Sequence, residues 1–564
     1  QIIRRLLQFG IPGLDHPQVE PFFHGLLQRM TAVLAALKQH QRAALQASSG
    51  GAGTRDGQDG IVEELQDLAE RMAGAAVDAQ KEHPIGFRRY LAVYLAFFHE
   101  QLASAAQAAA FGVTNATSGF LGGEGRVSSA EEEASSSSPS RRKSVAYPCY
   151  PFCIRCMAYL ANVVGCSSYR EDLLERAAAR PAATPSSSPS STPSNTLTRR
   201  RAGRMITAKG DAEVTSETAH EISSVLVAFY TGERVVGLLG LLLEAFLPLT
   251  ASDLEEWRDS PEQYYLLQDS LEPRESVRVS AEHLFSALLE ASGRDLGGVL
   301  ARAVSTKLAQ GVDAQLEACR QTSLGWQQLR LDALYLCAGL GAYTIKQYLD
   351  FEGWLKAFLS PALEALVSAM RIHAQQESIE APPAVLLRRL MWLLGCWSEQ
   401  IPVSLRPPLV QATANVMKAQ EADVVVRLSA LNALHAILGL WDLDPDQCLA
   451  PSLGWLVPAL YDLLEEVEEM ESRQQVLTVM SELLERSGNL LVPHCQAAVA
   501  GLPNVWMASS SQTPLRCSCL QVMKHVVEAL GRSKGPDLDR VAVSMVDVAT
   551  KVGSEDAVSM CVCV

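Results

Sequence analysis

A helix opening that recurs six times in the second half of the chain constrains the fold more than any other feature. An arginine followed by small or aliphatic residues appears in "VRVSAEHLF" (277–285), "LRLDALYLC" (329–337), "LRRLMWLLG" (387–395), "VRLSALNAL" (426–434), "SRQQVLTVM" (472–480) and "LRCSCLQVM" (515–523). The markers Arg278, Arg330, Arg388, Arg427, Arg473 and Arg516 stand 52, 58, 39, 46 and 43 residues apart. Those steps lie close to the about 40–47 residues of a HEAT repeat, with longer loops in the first two. The fold expected is therefore all-α: a HEAT-repeat superhelical solenoid of stacked antiparallel helix pairs. Each pair touches only its neighbours, so the array offers long surfaces for gripping another protein.

The most diagnostic copy runs from Asp423 through Arg427 to Leu434. Asp423 and Arg427 are one turn apart and can ladder with neighbouring repeats, while Ser429, Ala430 and Ala433 let helices approach closely. Acids also precede Arg278 (Glu275) and Arg473 (Glu469). Aromatic residues make up only 6% of the chain against 48% hydrophobic, which favours helices packed through aliphatic faces. No stretch alternates as a strand. Helical repeats are expected over 1–46 and 61–121, a helical hairpin over 148–179, and the repeat array over 213–564 with an acidic connector at 249–275. Three Ser-, Pro- or Gly-rich stretches break the pattern: a flexible loop at 47–60 and disordered insertions at 122–147 and 180–212. Such compositions cannot bury enough apolar area to offset ordering entropy.

A formal charge of −15 argues against nucleic acid as a partner, because that role needs a basic footprint, and favours basic protein partners. No membrane insertion is expected. The longest apolar stretch, Val235 to Leu243, is nine residues, well short of the about 20 a bilayer crossing needs. Thirteen cysteines without a repeated framework read as reduced thiols. The chain opens in mid-pattern with "QIIRRLLQFG" and stops at "SMCVCV", so a piece of a longer protein is expected, and the terminal Cys561 is read as an accident of the cut rather than a prenylation box.

The sequence carries no recognisable catalytic signature. "GK", needed for a phosphate-binding P-loop, occurs nowhere, and no G-x-S-x-G elbow is present. His99-Glu100 and His220-Glu221 begin like a zinc-protease helix, yet Ala103 and Ser224 stand where the second histidine belongs. Cys149, Cys153, Cys156 and Cys166 have zinc-ligating chemistry, but helical spacing puts Cys166 about 15 Å up the axis from Cys156, so buried thiols are expected. No catalytic residue, metal or cofactor is expected. Two basic clusters remain: "SRRKS" (140–144), with a candidate phosphorylation site at Ser144, and "TRRRAGR" (198–204), which has the form of a nuclear-localisation patch.

One acidic segment stands out, "LTASDLEEWRDSPEQYY" at 249–265. Ser252 and Glu255 have capping-box spacing, which predicts a short helix from about Asp253. Pro261 ends it at Ser260. Trp257 is its apolar anchor, leaving Asp253, Glu255, Glu256, Asp259 and Glu262 in solvent.

That segment, followed by "RVSAEHLFSALLE", resembles the importin-β superfamily of nuclear transport receptors, in which an acidic Leu-Glu-x-Trp-x-x-x-Pro-Glu-x-aromatic stretch precedes a HEAT helix. The matching positions are Leu254, Glu255, Trp257, Pro261, Glu262 and Tyr264, while Arg258 and Ser260 depart from the usual acids. "RRLMWLLGCWSEQIPVSLRPPLVQATANVM" (388–417) and "DVVVRLSALNALHAIL" (423–438) are most similar to the importin eleven branch, over roughly 214 to 552. The resemblance implies the middle of a receptor that carries protein cargo between cytoplasm and nucleus. Ran in its GTP form would be gripped mainly by repeats before residue 1, basic cargo by the acidic connector (Asp253, Glu255, Glu256, Trp257, Asp259, Pro261, Glu262), and Phe-Gly nucleoporins by outer helices. A static HEAT scaffold and the helical arm of a larger enzyme are the rival readings.

Overall fold

In the computed structural model, residues 14, 19–47, 55–120, 149–169, 216–268, 270–291, 295–321, 324–375, 382–509 and 512–533 are described. All regular structure among them is helical. The chain divides into two units, Gln1–Leu247 with Glu272–Ala303, and Pro248–Leu271 with Val304–Val564. The acidic segment thus belongs to the second unit although both its flanks belong to the first.

The first unit contains α1 (Glu20–Ala47), α2 (Arg55–Glu82), α3 (Pro84–Phe120), α4 (Tyr150–Val164), α5 (Ser216–Phe229), α6 (Gly232–Leu241) and α9 (Val277–Leu289). Helices α2, α4 and α9 stack in one row, with α1 against α2 and α3 against α4. An aromatic cluster of Phe23, Phe87, Tyr94, Phe98 and Tyr159 fills the core, and the Tyr94 hydroxyl donates to the Phe23 carbonyl at 2.8 Å. Burial of such a hydroxyl is tolerated because its hydrogen bond is made.

The second unit shows the layering most plainly. Outside the acidic segment its helices are α11 (Val312–Arg320), α12 (Trp326–Leu340), α13 (Ser360–Gln375), α14 (Pro382–Cys396), α15 (Arg406–Lys418), α16 (Val424–Leu438), α17 (Leu453–Glu466), α18 (Met470–Ser487) and α19 (Thr513–Ser533), while α10 (Leu296–Ala309) spans the boundary between units. One layer runs α12–α14–α16–α18–α19; against it lie α11 on α12, α13 on α14, α15 on α16 and α17 on α18, with α11 also touching α13 and α15 touching α17. Helices α14 and α16 pack closely where Gly395 faces Ala433: a Cβ at 395 would lie 3.7 Å from the Ala433 Cα. Gly339 serves α12 and α14 similarly, since a Cβ there would collide with the Trp392 ring. The five second-unit arginine markers all fall in the first layer, so the sequence repeat marks one helix of each pair.

Some boundaries move. Helix α1 reaches Ala47 and α2 begins at Arg55, so part of the loop expected at 47–60 is helical. Of the expected hairpin at 148–179, α4 and a 3-10 turn at Ser167–Tyr169 are described. The insertions at 122–147 and 180–212, Ser144, both basic clusters and Cys561 lie outside the described residues. Cys149, Cys153 and Cys156 are buried around α4, and burial pushes the Cys153 and Cys156 thiols above their ordinary range, which keeps them neutral. Among the described residues no single helix is long and apolar enough to cross a membrane; α5 with the stretch Gly232–Phe246 would be so only as a pair bent by 57°.

Candidate protein-binding site

The acidic segment folds as two short helices, α7 (Ala251–Asp259) and α8 (Pro261–Gln268). Its cap is Thr250, not Ser252. Thr250 is extended (φ −84°, ψ 167°) and its hydroxyl oxygen accepts from Asp253 N–H at 3.2 Å, while Asp253 Oδ2 accepts from Thr250 N–H at 2.7 Å. Both Thr250-x-x-Asp253 and Ser252-x-x-Glu255 have capping-box spacing; the earlier one lengthens the helix behind Pro248, which cannot continue it. Pro261 does end α7 at Ser260, as expected, and then supplies the first residue of α8, a position its fixed φ suits.

The bend brings two aromatics together. Trp257 (6% exposed) and Tyr264 (1% exposed) stack with centroids 5.4 Å apart and planes at 14°. The Arg388 guanidinium of α14 sits over both rings, 5.1 Å from the indole and 5.8 Å from the phenol. Asp332 of α12, fully buried, fixes that cation from behind: its Oδ1 lies 3.6 Å from Arg388 Nη2 and 2.9 Å from Arg389 Nε. Arg389 bonds the buried carboxylate directly, whereas Arg388 Nε and Nη2 are buried without a hydrogen bond and rely on the Asp332 charge and the two ring faces. The Trp257 indole N–H donates to Asp423 Oδ1 at 3.0 Å, and Asp423 also accepts from Val425 N–H at 2.8 Å as the N-cap of α16. Burial raises the Asp423 carboxyl above its ordinary range, opposed by the Trp257 and Val425 hydrogen bonds and by the Arg388 charge.

A second anchor lies in α8. The Glu262 carboxylate accepts from Glu468 N–H at 2.8 Å and Glu469 N–H at 2.9 Å, immediately before α18. It satisfies backbone donors that no helical partner can reach and places negative charge at the positive end of the dipole. Glu262 is therefore a helix cap supplied from another part of the chain, not a solvated acid. Tyr265 joins through its hydroxyl, which accepts from Gln475 Nε2 at 3.1 Å and from Asn432 Nδ2. Covered by α14, α15, α18 and α8, the helix α16 is buried nearly all round, which is why its sequence is apolar on every face.

Of the expected acids, Glu255, Glu256 and Asp259 are exposed, and Asp253 is partly exposed while serving the cap. Glu468 and Glu471, next to the Glu262 anchor, are also exposed. The anchoring thus fixes a carboxylate-bearing surface in place, with Glu255 and Glu256 turned outward and Asp259 paired with Arg258 Nε at 3.2 Å.

The marker arginines do not form a uniform ladder. Of the two residues expected to ladder with neighbouring repeats, Asp423 turns to Trp257, while Arg427 donates from Nε to the Met417 carbonyl at 2.7 Å and pairs with Glu466 at the end of α17. Arg278 pairs with Glu282 at 3.3 Å, and Glu275 instead accepts from Glu272 N–H. Arg473 donates to the Val467 carbonyl at 2.9 Å, Arg516 lies over the Trp506 ring, and Arg330 is exposed. A long side chain at a fixed register reaches whichever acceptor the local packing supplies, and only the register repeats. Elsewhere, His99 stacks edge-on against Phe229, where burial lowers its pKa, and Glu221 pairs with Arg88 at 3.1 Å. Neither histidine–glutamate pair is arranged around a shared metal position.

Layered helix pairs carrying an acidic, tryptophan-anchored segment define a helical-repeat protein, and in sequence the chain is similar to proteins of the importin-β superfamily. It is 28% identical to human importin-11 over 321 residues, 57% of this chain and 30% of importin-11. It is 25% identical over 319 residues to the importin beta-like protein kap113 of Schizosaccharomyces pombe, again 56% of this chain and 30% of the relative. Among solved structures, Lph2 of S. cerevisiae, described as a bidirectional nuclear transport receptor, superposes with a TM-score of 0.53 over 97% of this chain and 44% of its own, at 16% identity, a likeness of fold. The chain therefore spans about a third of the length of the curated relatives it matches. No family model matches it.

Proposed function

We propose that the chain is the middle part of a nuclear transport receptor, working by reversible protein binding without covalent chemistry. The relatives are importins, transport receptors and not enzymes. The observation that carries the reading at this site is the anchored segment: Trp257, Tyr264 and Glu262 hold α7 and α8 on α14, α16 and α18, and Glu255, Glu256 and Asp259 face outward as a surface for basic cargo. Ran in its GTP form, held mainly by repeats before residue 1, releases cargo, so the two ligands share negative coupling and each weakens the other by the same factor. Phe-Gly nucleoporins and shuttling between cytoplasm and nucleus belong to the same reading.

The test is the affinity of the full-length parent protein for Ran loaded with GTP and with GDP, repeated with residues 1–564 alone. Tight binding to the GTP form only, weakened by bound basic cargo, is expected, with loss in the shorter piece. Equal affinity for both nucleotide states would leave a static scaffold.

A further inference from the structure

At the opposite end of the same helix layer stands a tryptophan with the reverse environment. Trp441, in the loop after α16, is 89% exposed, the most exposed of the large hydrophobic side chains among the described residues. Its neighbours along this edge are also apolar and open: Tyr343 after α12 is 79% exposed, and Val403 after α14 is 54% exposed. Their common edge is fixed by hydrogen bonds. The Trp397 indole N–H donates to the Ala338 carbonyl at 3.0 Å, joining the ends of α14 and α12. Buried Arg406 donates to the Ile401 carbonyl at 3.2 Å and to the Asp442 carbonyl at 3.3 Å, and pairs with Asp442 Oδ1 at 2.9 Å, joining the Val403 turn to the Trp441 loop. The loop is thus held before any partner arrives, and less ordering entropy opposes binding.

Charge selects the partner. Residues 435–452 contain Asp442, Asp444 and Asp446 and neither lysine nor arginine, and 396–405 contain Glu399 and no lysine or arginine. An exposed indole among carboxylates attracts a cation to its π face and repels a second copy of the same edge. On the same edge, Lys346 Nζ already lies 4.5 Å from the centroid of exposed Tyr343.

We propose that the edge formed by the loops after α12, α14 and α16, centred on Trp441, docks an extended arginine- or lysine-rich segment of a partner protein. One cationic group stacks on the Trp441 indole, and Asp444, Asp446 and Glu399 attract its neighbours. The inference deepens the cargo reading, and rests on it only in taking the ligand to be a protein. It names a surface distinct from the α7–α8 acids.

The experiment is a titration of the intact protein with a fluorescently labelled peptide of alternating arginine and glycine, beside the same peptide with glutamine for arginine. Only the arginine peptide should bind. Trp441→Ala should weaken it roughly tenfold, Trp441→Phe should recover most of the loss, and Asp444→Asn with Asp446→Asn should weaken binding and flatten its salt dependence. In a protein carrying Glu255→Gln, Glu256→Gln and Asp259→Asn, which removes the α7–α8 acids, the peptide should still bind and Trp441→Ala should still weaken it roughly tenfold. Wild-type affinity in Trp441→Ala, or complete loss of binding in the α7–α8 variant, overturns the proposal. So does concentration-dependent self-association abolished by Trp441→Ala, which would make the edge an interface between copies. Peptide binding that persists in a protein indifferent to the Ran nucleotide would break the transport reading alone.

Discussion

Trp257 and Trp441 sit near opposite ends of one helix layer, each beside an aspartate, and have opposite fates. At the α7–α8 end the indole is 6% exposed, its N–H donates to Asp423, and Arg388 covers its face. At the other end the indole is 89% exposed, while the neighbouring Asp442 is occupied with Arg406 and held below its ordinary pKa by that hydrogen bond. The lesson is that residue type does not decide whether an aromatic is core or surface. An element arriving from elsewhere in the chain decides it, because only a second covering surface can remove both ring faces from water. One tryptophan then stabilises the fold, and the other stays open to solvent.

The sharpest way to break this contrast is Trp257→Ala. It removes a buried aromatic, uncovers Arg388 and leaves Asp423 without one donor, and should cost on the order of 3–5 kcal/mol. Denaturant titration should show it, with hydrogen exchange at α16 and α18 rising as α7–α8 detach. Trp441→Ala should change stability by no more than about 0.5 kcal/mol. Equal losses for the two would erase the distinction.

Next in size is Asp423→Ala, which leaves the buried indole N–H unpaired and removes the α16 cap, for about 1–3 kcal/mol. Asp423→Asn keeps an acceptor and should cost less. The pH dependence has a definite sign. Because the folded protein raises this carboxyl, it holds the proton more tightly than the unfolded chain does. Its contribution to stability therefore falls as pH rises from the ordinary aspartate range through the raised folded value. Asp423→Asn should remove that decline in stability curves measured across the interval, and an unchanged slope would assign the titration elsewhere.

Glu262→Ala should cost roughly 0.5–2 kcal/mol by uncapping α18, with Glu262→Gln intermediate. Amide exchange at Glu468 and Glu469 is the direct readout. The smallest effect belongs to Glu255→Gln with Glu256→Gln. These exposed acids should alter stability by less than about 0.5 kcal/mol while weakening any basic cargo held there.

Much of the fold was legible because helical repeats are locally encoded. The arginine register marked one helix of each pair, and Ser429, Ala430 and Ala433 identified a close approach that Gly395 completes from α14. In the acidic segment, Trp257 as anchor and the stop at Ser260 were legible. The cap was displaced by two residues, since Thr250 and Ser252 offer the same local chemistry. Glu262 was misread as solvated because its donors lie 206 and 207 residues away. Asp423 was expected to ladder with a neighbouring repeat, and its donor, Trp257, was not legible because it is 166 residues away. Trp441 carried no usable signal, since a tryptophan after a helix is as often buried as open.

By itself, then, the sequence determined that this chain folds into helices, the register at which they repeat, the acidity of α7 and α8, and the resemblance to the importin-β superfamily. Those properties follow from periodicity and composition, which act over neighbouring residues. Tertiary structure alone decided which acids cap a helix and which face solvent, which aspartate receives the Trp257 proton donor, and which tryptophan is covered. Each depends on surfaces brought together from distant parts of the chain, and burial and hydrogen bonding reward those encounters only after the fold has made them.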